Sequence, residues 1–216
     1  MTTANGIDKG DGRVDQADGG GDGRRLRVAV IVGSTREGRF GPVVAEWLLR
    51  RAAEREDLEA DLVDLAETPL PSVFPAFGGP VPDEVAAQFA AVSPRLEAAD
   101  AFVIVTPEYN HSFPAPLKNA IDLHKQEWQA KPVGFVSYGG RSGGLRAVEQ
   151  LRLVLAELHA VTVRETVSFH DYGDKFDAEG NAVESAAEGA AKAMLDQLTW
   201  WAHALRDAKR LRPYGA

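Results

Sequence analysis

Val28-Ala29-Val30-Ile31-Val32-Gly33-Ser34-Thr35-Arg36-Glu37-Gly38-Arg39-Phe40-Gly41-Pro42 decides the fold of this chain. Five consecutive apolar residues closed by Gly33-Ser34 describe a strand buried on both faces, because an alternating pattern would leave one face wet. The polar loop that follows leads to Pro42 at a first helical turn, where a missing N–H costs nothing. Val44, Trp47 and Leu48 then recur at helical spacing, so the stretch is a strand, a loop and a helix in succession.

The same unit returns along the chain. Residues 58–65 alternate as a strand, and a helix is expected over 83–98 behind Pro82-Asp83-Glu84. Buried strands are predicted at 101–106, ended by Pro107, and at 133–138, ended by Gly139-Gly140. Helices follow at 116–124 and 144–159, a last strand at 161–169, and a C-terminal helix at 183–209. That helix repeats Ala187, Ala191, Met194, Leu198, Trp201 and Leu205 on one face. Strands alternating with helices imply an α/β fold, a doubly wound five-stranded parallel sheet of order 2-1-3-4-5 with helices on both faces.

Composition bounds the rest. The 216 residues carry a net charge of −8 and no cysteine, which excludes a disulfide scaffold, a thiolate nucleophile and cysteine-held metal clusters. An acidic chain is not expected to bind nucleic acid, and no apolar run reaches a membrane span or a secretory signal. The expectation is a soluble, cytoplasmic protein. Residues 1–23 hold seven glycines with Asp8, Asp11, Asp15, Asp18 and Asp22 and show no apolar period. They are read as a disordered tail preceding one domain over 24–216. Their Asp-Gly pattern lacks the ligand ladder of a calcium loop. The five histidines form no zinc-binding pair, and no metal site is expected. The 68–82 loop, with Phe74 and Phe77, is longer than most connections. The four tryptophans are read as packing or interface residues.

In open parallel sheets ligands sit beyond the carboxyl ends of the strands. Three loops should converge there. The first, 33–40, offers hydroxyls, Arg36, Arg39 and amides entering a helix, a setting for a phosphate as readily as for an ordinary Ser/Thr helix cap. It is neither a dinucleotide fingerprint nor a P-loop. The second reads Pro107-Glu108-Tyr109-Asn110-His111-Ser112. The third, 139–144, has four glycines in six positions, allowing close backbone approach to a ligand. Glu108 and Asp122 have no spacing that would pair them as acid and base.

These loops, in this order and with Leu117-Lys118-Asn119-Ala120-Ile121-Asp122 and Leu145-Arg146-Ala147, resemble the NADPH-dependent FMN reductase family over residues 27–169. That family is flavodoxin-like and includes quinone, azo-dye and chromate reductases. One departure is that many members place a Ser at or beside the position of Arg39. The resemblance implies that Ser34, Arg36, Arg39 and the N–H of Phe40 hold the FMN phosphate. It implies that Pro107, Glu108, Tyr109 and Asn110 line the ribityl chain and ring edge, and that Tyr138, Gly139, Gly140, Arg141 and Gly144 approach the pyrimidine side. Donors there would stabilise reduced flavin. No side chain is expected to act as a catalytic acid or base, since flavin N5 carries the chemistry.

The implied activity is ping-pong hydride transfer from NADPH or NADH to a small acceptor: a quinone, azo compound, free flavin or metal oxyanion. The alternatives are a flavodoxin-type electron carrier and a non-catalytic flavin-binding or scaffold protein. A homo-oligomer, dimer or tetramer, is expected from the resemblance. The apolar face carrying Leu117, Ala120, Ile121 and His124 is the candidate interface.

Overall fold

A computed structural model describes residues 23–76 and 78–215, so Phe77 and almost all of the expected tail lie outside the described residues. Five parallel strands, β1 (Leu26–Val32), β2 (Leu58–Asp64), β3 (Ala101–Pro107), β4 (Pro132–Gly139) and β5 (Val161–His170), form one sheet of order β2-β1-β3-β4-β5. Between and after them run α1 (Gly41–Ala53), α2 (Asp83–Ala98), α3 (Ala115–Asp122), α4 (Leu145–Glu157) and α5 (Ser185–Leu211). Among the described residues no helix is long and apolar enough to cross a membrane.

The two-residue period of a strand divides the core in two. Val28, Val30 and Val32 of β1 join Val103, Val105 and Val136 against Trp47 of α1 and Leu198 of α5. Ala29 and Ile31 face the other way, with Phe102, Ile104 and Phe135 against Ile121 of α3 and Leu151 of α4. Every residue of β3 and β4 is buried, which is why both read as unbroken apolar runs. β2 and β5 are the edges and carry exposed charges at Glu59, Asp61 and Arg164.

Several expectations change in detail. The face of α3 proposed for a second copy is used within the chain: Leu117, Ala120, Ile121 and His124 are all buried, and His124 is satisfied by Ser93 and the Ala120 carbonyl. Periodicity shows that a face is apolar, not what covers it. The helix also stops at Asp122, and a separate 3-10 turn, Gln126–Trp128, follows. Trp47 and Trp128 pack in the core, whereas Trp200 is exposed. The loop over 68–82 is tied down where Asn119 Nδ2 donates to the Pro71 carbonyl at 2.9 Å. At the opposite end of the sheet Lys131 is buried, its Nζ donating to the carbonyls of Leu96 and Glu97 at 2.8 and 2.9 Å.

Strand order reverses between β1 and β3. The loops after those two strands therefore diverge to opposite faces and leave a crevice at the carboxyl edge.

Candidate functional site

The first wall of the crevice is the loop after β1. The Gly33 amide donates to the Val105 carbonyl at 2.9 Å, carrying the β1–β3 ladder one residue further before the chain leaves the sheet. A turn closes from the Arg39 amide to the Arg36 carbonyl at 3.1 Å, with Gly38 at φ +65° where an L side chain would be strained. No side chain caps α1, so the cap considered for Ser34 or Thr35 does not form. Among the described residues, the backbone amides of residues 35–38 and of Phe40 have no protein partner. A loop of free amides at a helix N-terminus is an anion-binding arrangement.

Two arginines on this loop differ sharply. Arg36 is exposed and forms no ion pair among the described residues. Arg39 Nη1 donates to Asp64 Oδ1 at 2.5 Å and to the Ser34 carbonyl at 3.1 Å. Asp64, which ends β2, was not singled out from sequence because the strand order that places it here is a long-range property.

The second wall is the loop after β3. Pro107 pairs with Tyr138 as the last rung between β3 and β4. The Glu108 carboxylate turns away from the crevice and accepts from the Arg146 amide at 3.2 Å and from its Nη1 at 3.1 Å, in the first turn of α4. The Glu108 amide is also engaged, donating to the Tyr138 carbonyl at 3.3 Å, so among its polar groups the carbonyl is the one left for a ligand. Tyr109 and Ser112 exchange both backbone hydrogen bonds, at 2.8 and 3.0 Å, across Asn110 and His111 at φ 50° and 70°. Two successive positive φ values across a two-residue loop mark a type I′ turn. The Tyr109 hydroxyl reaches back to Ser34 Oγ at 2.7 Å and so ties the second wall to the first.

The third wall follows β4. Gly139 and Gly140 line the crevice, and a Cβ at Gly140 would meet nothing closer than Asp171 Oδ1 at 4.0 Å. Gly144 has another purpose. Its φ is +87°, and a Cβ there would lie 2.7 Å from Ser137 Cβ. The residue seats α4 against β4 and does not line the crevice.

An aromatic corner joins these walls. Phe40 and Tyr172 stack at 4.9 Å between centroids, and Tyr138 meets them at 6.1 and 5.4 Å. Among the described residues the buried Tyr138 hydroxyl has no hydrogen-bond partner, and burial pushes its pKa well above the ordinary phenol value. Tyr172, on a single 3-10 turn after β5, was not anticipated because its neighbours show no motif.

The crevice thus brings together Arg36, Arg39, Phe40, Pro107, Glu108, Tyr109, Tyr138, Gly139 and Gly140. Four other expected residues do not line it. Ser34 is buried beneath it, Asn110 is exposed at the hairpin tip, Gly144 packs on β4, and Arg141 is exposed with its carbonyl 2.9 Å from His170 Nδ1.

Comparison with known proteins agrees with this architecture. The family model described as NADPH-dependent FMN reductase matches residues 26–174. An NAD(P)H-dependent FMN reductase of Schizosaccharomyces pombe is 39% identical over 121 residues, covering 55% of this chain and 60% of that relative. An NADPH:quinone oxidoreductase of Arabidopsis thaliana is 33% identical over 181 residues, covering 79% of this chain and 88% of that relative. In fold, the chain is similar to FerB, a flavoenzyme NAD(P)H:(acceptor) oxidoreductase from Paracoccus denitrificans. The TM-score is 0.67 at 23% identity, over 83% of this chain and 98% of that one.

Proposed function

Because the chain belongs to the NADPH-dependent FMN reductase family, we propose that it is an FMN-dependent oxidoreductase passing reducing equivalents from NADPH or NADH to a small acceptor. Quinones, azo compounds, free flavin and metal oxyanions are the candidate acceptors. The observation that carries this reading is the run of amides at 35–38 and 40, beside Arg36, that have no partner among the described residues, which suits a monoester phosphate.

The remaining surfaces fit the rest of FMN. The open space at Gly140, the Phe40–Tyr138–Tyr172 corner and the buried, unpartnered Tyr138 hydroxyl suit a flat ring system with polar edges. Bound FMN supplies a hydride acceptor at N5. Arg36 and the loop amides would bind the phosphate, and the backbone of 107–109 would orient the ribityl chain and ring edge. Residues 138–140 would exclude water from one side and lie against the pyrimidine edge. No acid or base is assigned, because orientation and exclusion of water are what hydride transfer asks of the protein. We read the protein as a cytoplasmic homo-oligomer, dimer or tetramer, whose second copy would cover the open crevice.

The test is anaerobic mixing of the FMN-loaded protein with NADPH or NADH. The flavin absorbance should bleach without an acceptor and return on adding a quinone. A protein that binds FMN but is not reduced by either nicotinamide would be an electron carrier instead.

A further inference from the structure

The hairpin over Tyr109–Ser112 is held in a conformation its sequence does not favour. Type I′ turns prefer Asn-Gly at their centre because both central residues need φ > 0. Here the second position is His111, at φ 70°, and such backbone persists only where its surroundings hold it. α4 supplies that hold. Gln150 Nε2 donates to the His111 carbonyl at 2.7 Å, and its Oε1 accepts from Ser112 Oγ at 2.6 Å. One helical turn earlier, Arg146 grips Glu108 through its amide and its guanidinium. The same helix begins directly after the glycine loop that forms the third wall.

We propose that Gln150 and Arg146 are positioning residues: from one face of α4 they clamp both ends of the hairpin and set its place relative to Gly139 and Gly140. The inference rests on the flavin reading for its functional consequence. The clamp itself can be tested without flavin.

The first measurement is amide hydrogen exchange at Tyr109 and Ser112 in the ligand-free protein. Gln150→Ala removes two hydrogen bonds from an exposed site, so exchange at both amides should quicken by about three- to thirtyfold. Adding His111→Gly to that variant makes the central pair Asn-Gly, which adopts the turn unaided, and slow exchange should return. The second measurement is flavin affinity. Gln150→Ala should weaken FMN and riboflavin by the same factor, because the hairpin serves the ring and ribityl part. His111→Gly should again restore it.

Unchanged exchange in Gln150→Ala, or a double variant no slower than the single one, would overturn the clamp. Normal exchange behaviour in a wild-type protein that binds neither flavin would leave the clamp standing and overturn the proposed function. A quickened hairpin with unaltered flavin affinity would overturn the positioning role.

Discussion

Asp64, the last residue of β2, accepts a 2.5 Å hydrogen bond from Arg39 on the neighbouring crevice loop. The two side chains are only 11% and 14% exposed. The same carboxylate oxygen also accepts from the Ala66 amide at 3.0 Å. The pair fastens the loop after β1 to the strand beside it, and Arg39's charge is met within the protein. The charge offered outward is that of Arg36.

The two arginines should therefore separate experimentally. Arg36→Ala should weaken FMN by roughly ten- to hundredfold, the worth of a charge-assisted hydrogen bond, while riboflavin affinity and melting temperature stay unchanged. Arg39→Ala strands a largely buried carboxylate and should cost about 3 kcal/mol in denaturant titration. Equal losses of both ligands in Arg36→Ala would remove it from the phosphate.

Tyr138→Phe should make the ligand-free protein more stable. Its hydroxyl is buried without a partner among the described residues, and such a group costs about 1–3 kcal/mol. Melting of the flavin-free variant should shift upward. A downward shift would mean that the hydroxyl is already satisfied.

Lys131 gives stability a pH dependence. Burial pushes its ammonium down to about 8 from 10.5, with Lys209 reinforcing the shift. Between those values the unfolded chain keeps a proton that the folded protein has shed, so stability rises with pH across this window. Below it, the folded protein bears the full cost of a buried charge. The whole span is worth roughly 3 kcal/mol. Lys209, also pushed down by burial, adds the same sign. Above about pH 10 Tyr138 opposes the trend, because burial keeps its phenol protonated while the unfolded one ionises. Urea titrations from pH 7.5 to 10 should show the rise, and Lys131→Met should flatten it. Equal slopes in both proteins would assign the rise elsewhere.

If nicotinamide and acceptor both use the crevice at the carboxyl edge, they occupy it in turn. Initial rates against NADPH at several quinone concentrations should then give parallel double-reciprocal lines. Intersecting lines would require both ligands to bind together.

Much of the fold was legible because β1 from Val28 onward, β3 and β4 lie in the middle of the sheet, where both faces are buried and the residues are mostly apolar. Alternation of strands and helices implies a parallel sheet, and five such units in this length match the doubly wound order 2-1-3-4-5. What escaped were pairings between residues far apart in sequence. Nothing near Arg39 announces Asp64, and nothing in Pro107-Glu108-Tyr109-Asn110 announces that the Glu108 side chain belongs to Arg146. The glycine run reads as one device, yet Gly140 leaves open space and Gly144 lies where a Cβ would collide with Ser137. Spacing reveals which residues share a loop or a face. It does not reveal which partner a long side chain reaches.

Among the described residues no strand pairs with the outer edge of β2 or β5, and an unpaired strand edge is a template for another chain. On β2 the exposed positions Glu59 and Asp61 are acidic, with Arg27 and Arg95 reaching across to pair with them. On β5, Arg164 and Glu165 interrupt a β-branched run. These residues lie on the rim of the sheet, away from the crevice, and contribute little to the core. Their effect should fall on crowded solutions, because charged side chains along an edge strand must lose water before a second copy can pair there. Replacing Glu59 and Asp61 with valine would leave a sheet of the same topology but remove that protection, and the concentrated protein would be the first to register the loss.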